Sequence, residues 1–140
     1  MRREQGGLLL AWAGITGLAG VIAAAAGSHL TPLNAAAARL YETALQIHLS
    51  HAAAVLAPAL LAAIGPAASA RAARLSAGLM LAGIWLFAGT LYGRSLMPDL
   101  AAMAGPLTPM GGGLIMAGWF MLAYAGVRLW LSPSAGSDAR

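Results

Sequence analysis

Four long apolar runs dominate this 140-residue chain and restrict what it can fold into. They cover residues 6–27, 44–64, 75–93 and 109–131, and Arg128 is the only charged residue within them. An α-helix needs about 20 apolar residues, with a range of about 17 to 25, to cross a bilayer. Membrane strands would instead alternate apolar and polar residues over about ten positions. The runs therefore predict an all-α, four-helix membrane bundle.

Composition supports a bilayer environment. Only 9% of the residues are charged and the mean hydropathy is +0.76, whereas soluble domains carry about 25% charged residues. The chain has no cysteine, which excludes disulfides and thiolate metal sites. Its net charge is +4, but the cations are separated by apolar runs and form no basic stripe beside aromatic residues. Nucleic-acid binding is therefore not expected.

The distribution of arginine predicts the orientation of the bundle. Six arginines fall on the side that carries both termini, and two fall on the other side. Short loops that are rich in arginine remain in the cytoplasm. We therefore predict that both termini and the loop at residues 67–74 are cytoplasmic. The six arginines are Arg2, Arg3, Arg71, Arg74, Arg128 and Arg140, and the two are Arg39 and Arg94.

Proline dipeptides predict where helices begin and end. A threonine before proline at the start of a run predicts that the threonine hydroxyl caps the helix and that proline takes the first helical position. Proline directly after the end of a run predicts that the helix stops there. Pro58 lies inside the second run and predicts a kink. The dipeptides are Thr31-Pro32 and Thr108-Pro109 at starts, and Gly65-Pro66 and Ser132-Pro133 at ends.

These signals predict one domain followed by a tail. The first run also resembles a signal peptide, because two arginines precede it and small residues end it. Its apolar core exceeds the usual 7 to 15 residues of such signals, so we favour a retained helix. The predicted domain is 1–131, with helices at about 6–27, 33–64, 75–96 and 109–131, and residues 132–140 form a flexible polar tail.

Glycines recur in the third and fourth runs, at Gly89, Gly93, Gly111, Gly112 and Gly113. In a bilayer, small residues let helix backbones approach closely. We interpret these glycines as helix-packing positions, and a glycine-lined path for a small solute is the alternative. A small-residue face can also dock another helix, so a second copy or a partner membrane subunit is an expectation, besides membrane lipid.

Polar residues gather in the outer half of the second helix. At 100° per residue, Tyr41, His48 and His51 share one face, and Glu42 lies on roughly the opposite face. His29 follows the first run and can approach the same level. Ionisable residues inside a membrane are energetically costly and usually face the bundle interior. These five residues form the candidate polar or ligand site.

Three interpretations of this cluster compete. Neutral histidines can hydrogen-bond to neighbouring helices, which is the interpretation we favour. His29, His48 and His51 can instead contribute to a metal or haem site, although two histidines three residues apart need further ligands. The cluster can also relay protons or bind a lipid or quinone head group. No cofactor is predicted on balance.

Motifs for catalysis are absent from the sequence. The chain has no phosphate loop, CxxC pair, HExxH or GxSxG, and its four carboxylates form no intramembrane pair. We therefore predict a non-enzymatic membrane protein with an accessory or lipid-interacting role. The alternatives are a small-solute or proton transporter and a haem- or metal-binding redox protein.

Short segments in a fixed order carry a family resemblance. They are Gly27-Ser28-His29, Tyr41-Glu42-Thr43-Ala44 leading to His51-Ala52, the stretch 83–92, and the stretch 107–112 with Gly118-Trp119. Over about residues 14–123, the chain resembles the YgdD-like, UPF0382-type inner-membrane proteins that contain domain of unknown function 423.

This resemblance implies a four-helix protein of the bacterial inner membrane, without an established activity. In the resemblance, His29 and His51 match histidines of the family pattern. His48 stands where the family more often has another polar residue. The resemblance therefore directs attention to His29 and His51, which come from different helices.

Overall fold

Five helices make up the described part of the chain. A computed structural model describes residues 2–29, 34–97 and 106–132. The helices are α1 (Arg2–Gly27), α2 (Ala35–Ala54), α3 (Leu56–Ile64), α4 (Ala67–Leu96) and α5 (Leu107–Trp130). With α2 and α3 taken together, this part of the chain contains four segments that are long and apolar enough to cross a membrane. The predicted all-α, four-span architecture is confirmed.

The second span is interrupted at Val55, which separates α2 from α3. Pro58 has no backbone N–H, and its ring crowds the carbonyl one turn earlier, so the regular bonding of the helix is interrupted there. The chain nevertheless continues in the same direction, because the Val55 N–H donates to the His51 carbonyl at 2.9 Å and the Ala59 N–H donates to the Val55 carbonyl at 3.1 Å. Near Pro58, where the sequence predicted a kink, the helix is therefore interrupted for one residue within a single span.

Asn34 caps the start of α2. Its side-chain oxygen accepts hydrogen bonds from the backbone N–H groups of Ala36, at 3.1 Å, and Ala37, at 2.9 Å. This arrangement satisfies donors that have no partner within the helix. The predicted start at Thr31-Pro32 lies outside the described residues, and our sequence analysis did not single out Asn34.

Replacing Asn34 by alanine is expected to lower the free energy of unfolding by about 0.5 to 2 kcal/mol, because two first-turn N–H groups lose their acceptor. Thermal unfolding of the purified protein in detergent measures this change. Asn34→Asp is the control, since it keeps an acceptor oxygen at the same position. An equal loss of stability in both variants would show that the cap does not stabilise α2.

The start of α5 differs from the prediction. The helix begins at Leu107 after Pro106, and no side chain caps it. Thr108, which was expected to be the cap, lies in the first turn, and its hydroxyl oxygen is 2.9 Å from the hydroxyl oxygen of Thr90 on α4. Pro109 is also in the first turn, where its missing N–H removes no helical bond. Thr108 therefore joins two helices and the prediction of a Thr108 cap is wrong.

The helix α4 starts at Ala67, whereas the sequence predicted a start near residue 75. The apolar run begins only after Arg71 and Arg74, but alanine and arginine are both strong helix formers. The helix therefore extends beyond the apolar run and carries these two arginines on its first turns. Both termini are still predicted to be cytoplasmic on the arginine count alone.

The helix α4 packs against all the others, most extensively against α5. At one end, Ala62, Ala72, Ala73 and Ala125 join α3, α4 and α5. The backbone of Gly6 on α1 lies against Ala63 at the same end. We call this the amino-terminal end of the bundle, because α1 and α4 begin there.

Close approach of α4 and α5 depends on three glycines. A Cβ atom added to Gly83 would lie 2.8 Å from the Gly111 carbonyl oxygen, and one added to Gly118 would lie 2.5 Å from Cγ of Met80. A Cβ atom added to Gly111 would lie 2.5 Å from the Phe87 backbone nitrogen. Side-chain-free backbone is what allows these helices to touch.

The other glycines that the sequence singled out lie in looser surroundings. A Cβ atom added to Gly112 would lie 3.7 Å from the Phe87 ring, which is an ordinary contact distance. Cβ atoms added to Gly89, Gly93 or Gly113 would meet no atom within 4 Å. These three positions therefore leave room for lipid or for another helix.

Candidate polar site between the helices

His48 lies at the centre of the polar side chains inside the bundle. Only 3% of its surface is exposed, and its Nε2 atom is 2.9 Å from the carbonyl oxygen of Thr16 on α1. A carbonyl oxygen can only accept, so Nε2 carries the proton of this hydrogen bond. In the neutral ring Nδ1 is then an acceptor, and it faces the hydroxyl of Tyr92 on α4 at 3.5 Å. One imidazole therefore links three helices.

Thr16 extends this network to the third run. The side chain is fully buried, and its hydroxyl donates to the Trp12 carbonyl at 2.8 Å. The same oxygen accepts a hydrogen bond from the indole N–H of Trp85 at 3.1 Å. The Trp85 ring also meets His48 edge-on, with 5.6 Å between ring centroids. Thr16 thus connects α1 to α4 through its hydroxyl oxygen and to α2 through its backbone carbonyl.

Tyr41 makes a second link two turns away along α2. Its hydroxyl donates to the Ala23 carbonyl of α1 at 2.6 Å. Its ring lies 4.9 Å from the ring of Tyr92, centroid to centroid. Gly27 provides the space for this ring, because a Cβ atom there would lie 2.7 Å from Cε1 of Tyr41. Tyr41 and His48 therefore belong to one network that connects α1, α2 and α4.

His51 has a different environment, although it is only one turn from His48. It is half-buried, and its Nδ1 atom lies 3.0 Å from the Ile47 carbonyl oxygen and 3.1 Å from the Ser50 hydroxyl, both on its own helix. Across the bundle it meets the ring of Trp119 on α5 edge-on, at 6.1 Å between centroids. His51 is therefore positioned by its own helix and by one aromatic contact.

The remaining candidates, His29 and Glu42, are exposed. His29 lies on the turn after α1, next to Gly27 and therefore near the level of Tyr41. His51 is ten residues beyond Tyr41, which corresponds to about 15 Å along the helix axis. The structure therefore brings Tyr41 and His48 together and does not bring His29 and His51 together.

Metal coordination finds little support in these positions. In residues 2–29, 34–97 and 106–132, no three His, Asp or Glu side chains form a group that could hold a metal ion. The Nε2 atom of His48 already donates to a carbonyl oxygen. Of the three histidines predicted as possible ligands, His29 and His51 are thus the two whose Nε2 atoms make no hydrogen bond between helices within the described part of the chain, and they lie apart along the bundle.

Sequence analysis missed Thr16, Trp85 and Tyr92 as members of the network. Trp85 and Tyr92 are seven residues apart, which places them on one face of α4. The spacing of these two polar aromatic residues could have indicated that both contribute to the network. The sequence indicated a role for Thr16 less clearly, since a lone threonine in a membrane helix commonly bonds only to its own backbone.

Comparison with known proteins identifies relatives of the chain as a whole. A sequence profile described as "Protein of unknown function (DUF423)" matches residues 23–112, which include all of α2 and α4. A "UPF0382 membrane protein" of Haemophilus influenzae is 39% identical over 105 residues, covering 75% of this chain and 78% of that protein.

A "UPF0382 membrane protein" of Schizosaccharomyces pombe is 43% identical over 49 residues, covering 33% of this chain and 42% of that protein. No solved structure is a significant match. The profile covers more than half of the chain and the bacterial relative is similar over most of its length. Together with the four apolar spans, these matches show that the chain belongs to the DUF423 family of membrane proteins.

Proposed function

We propose that the protein is a non-enzymatic protein of the bacterial inner membrane that acts by binding lipid or a partner subunit within the bilayer. The observation that carries this proposal is the closed hydrogen bonding of His48, the most buried ionisable side chain of the candidate site. A proton relay needs partners that can both accept and release a proton, and a ligand needs a ring nitrogen that is not already engaged. The Nε2 proton of His48 is held by a backbone carbonyl oxygen, which has no proton to pass on. His48 uses both ring nitrogens between helices.

The outer surface of the bundle supports the same proposal. Large apolar side chains point away from the protein on α1 and α5, including Leu18, which is 62% exposed, and Phe120, which is 69% exposed. Such surfaces are covered in a membrane by lipid tails or by other helices. The polar groups thus connect helices in the interior of the bundle, and the surface that binds lipid or a partner is its lipid-facing exterior.

Orientation forms part of this proposal. The count of six arginines against two supports cytoplasmic termini. A membrane location is supported by the similarity to a UPF0382 membrane protein of Haemophilus influenzae, and the bacterial inner membrane is part of what we propose.

Purified protein is expected to be colourless and free of bound metal, to carry phospholipid, and to give liposomes no more proton or small-solute flux than protein-free liposomes. Optical spectroscopy, elemental analysis, lipid extraction and a pH-sensitive dye measure these four properties. His51→Ala is the informative variant, because His51 is the histidine of α2 that bonds only within its own helix.

Two results would contradict the proposal. Flux above the leak of protein-free liposomes that disappears in His51→Ala would support a transporter. Stoichiometric haem or metal that is lost in the same variant would support a redox protein. Phospholipid without flux, haem or metal would support the proposed role.

A further inference from the structure

A cavity of about 500 Å³ lies between the first turns of α4 and the last turns of α5. It is at the amino-terminal end of the bundle, far from the network around His48. Arg71 and Arg128 line it together with Tyr124, and Leu75 and Met121 form part of its apolar wall. Two cations from different helices therefore line one concave site.

The charges of this cavity are not balanced by its own walls. None of its lining residues is acidic. Arg74 follows Arg71 by one turn of α4 and adds a third positive charge at this end. Paired guanidinium groups present planar sets of donors that suit the oxygens of phosphate. The cavity is thus chemically suited to an anion with several acceptor oxygens.

Tyr124 fixes one of the two guanidinium groups. Nη1 of Arg128 donates to the Tyr124 hydroxyl oxygen at 3.1 Å, and Cζ of Arg128 lies 5.9 Å from the centre of the Tyr124 ring. The hydroxyl accepts this bond, so its own proton remains available to a ligand oxygen. The side chain of Arg128 is therefore held at the cavity while its other donors can bind an anion.

The start of α4 adds further donors. Ala67 and Ala68 line the cavity, and the preceding residue, Pro66, supplies no side-chain cap. The first N–H groups of a helix have no acceptor within the helix and carry the positive end of its dipole. The backbone N–H groups and the two arginines therefore both favour a negatively charged ligand.

The depth of the cavity indicates where that ligand comes from. The 30 residues of α4 extend about 45 Å, compared with about 30 Å for the hydrocarbon core of a bilayer. The first turns of α4 therefore reach the level of the lipid head groups, and Arg71 lies on the second turn. Leu75 is one turn deeper, at the start of the apolar run.

We propose that this cavity binds the phosphate group of an anionic phospholipid such as phosphatidylglycerol. The phosphodiester lies between Arg71 and Arg128, with Tyr124 as an additional donor, and the acyl chains descend along Leu75 and Met121. Basic pockets between membrane helices bind anionic head groups in this way. The inference rests on the proposed function, because it names the lipid class that the protein binds.

The test uses delipidated full-length protein in detergent and native mass spectrometry. Phosphatidylglycerol and phosphatidylcholine with the same acyl chains are added back separately, and inorganic phosphate is added as a competitor. We expect phosphatidylglycerol to bind more tightly than phosphatidylcholine, and Arg71→Gln/Arg128→Gln to weaken its binding by roughly tenfold for each guanidinium removed. Both arginines are exposed, so the variant is expected to fold.

Arg39→Gln/Arg94→Gln is the matched control, since it removes two positive charges from the opposite end of the bundle. It should leave phosphatidylglycerol binding unchanged. Three results would overturn the inference: equal binding of both lipids, unchanged binding in Arg71→Gln/Arg128→Gln, or displacement of the lipid by inorganic phosphate at equal concentration.

The outcomes separate the inference from the proposed function. If the arginine variant keeps its lipid and the wild-type protein gives no flux, the cavity assignment fails and the proposed function stands. If the wild-type protein gives flux above the leak, the proposed function fails whichever lipid the cavity binds.

Discussion

Replacing Gly111 by alanine is expected to lower the free energy of unfolding by about 1 to 3 kcal/mol, the usual cost of forcing extra atoms into a packed interface. The added Cβ atom would lie 2.5 Å from the Phe87 backbone nitrogen and 2.8 Å from its Cα atom. A backbone cannot rotate away as a side chain can, so α4 and α5 have to separate. Thermal unfolding in detergent, monitored by circular dichroism, measures the loss.

Gly113→Ala is the matched control, because it makes the same chemical change two residues later on the same helix. A Cβ atom at Gly113 meets no atom within 4 Å, and alanine is a better helix former than glycine by about 1 kcal/mol. The free energy of unfolding of Gly113→Ala should therefore be equal to that of the wild-type protein or slightly higher. If both variants lost stability equally, the α4–α5 interface would not pass through Gly111 as described.

Glycine positions show what sequence can and cannot predict in this fold. The pattern indicates that α4 and α5 contain small residues, since that is a local property of each run. Whether Gly89 or Gly83 touches α5 depends on how the two helices are rotated about their axes. That rotation follows from all the contacts along the interface, so single runs did not predict it.

The number of spans could be predicted because hydropathy adds up along one segment and does not depend on neighbouring helices. The ends of the helices were less predictable. The apolar run stopped at Arg74, but the favourable helix propensity of alanine and arginine carried α4 back to Ala67. Asn34 caps α2 through a side-chain bond that hydropathy does not report.

Helical periodicity predicted the inward face of α2 but not its partners. Tyr41 and His48 lie on one side of the helix, and both are buried. Thr16 and Tyr92 come within reach of His48 only because α1 and α4 pack at particular heights beside α2. Those heights are set by the whole bundle, so the periodicity of one helix could not predict these partners.

Replacing His48 by alanine is expected to lower the free energy of unfolding by about 2 to 5 kcal/mol, the range for emptying a large buried site. The imidazole is 3% exposed and fills the space between α1, α2 and α4. Each lost interhelical hydrogen bond adds about 0.6 kcal/mol on average in a membrane. His48→Phe helps to separate the two contributions, because it removes the hydrogen bonds and replaces the imidazole with a somewhat larger ring that leaves no cavity.

His51→Ala is the control for this prediction, since it deletes the same side chain one turn later. His51 is half-buried, and its hydrogen-bonding contacts lie within α2, so its removal leaves the contacts between α1, α2 and α4 intact. We expect its unfolding temperature to remain close to that of the wild-type protein, and that of His48→Ala to fall well below both. Equal stability of the two alanine variants would mean that His48 does not hold the three helices together. The interhelical hydrogen bonds of His48 would then no longer argue against a role for this residue in proton transfer or ligand binding.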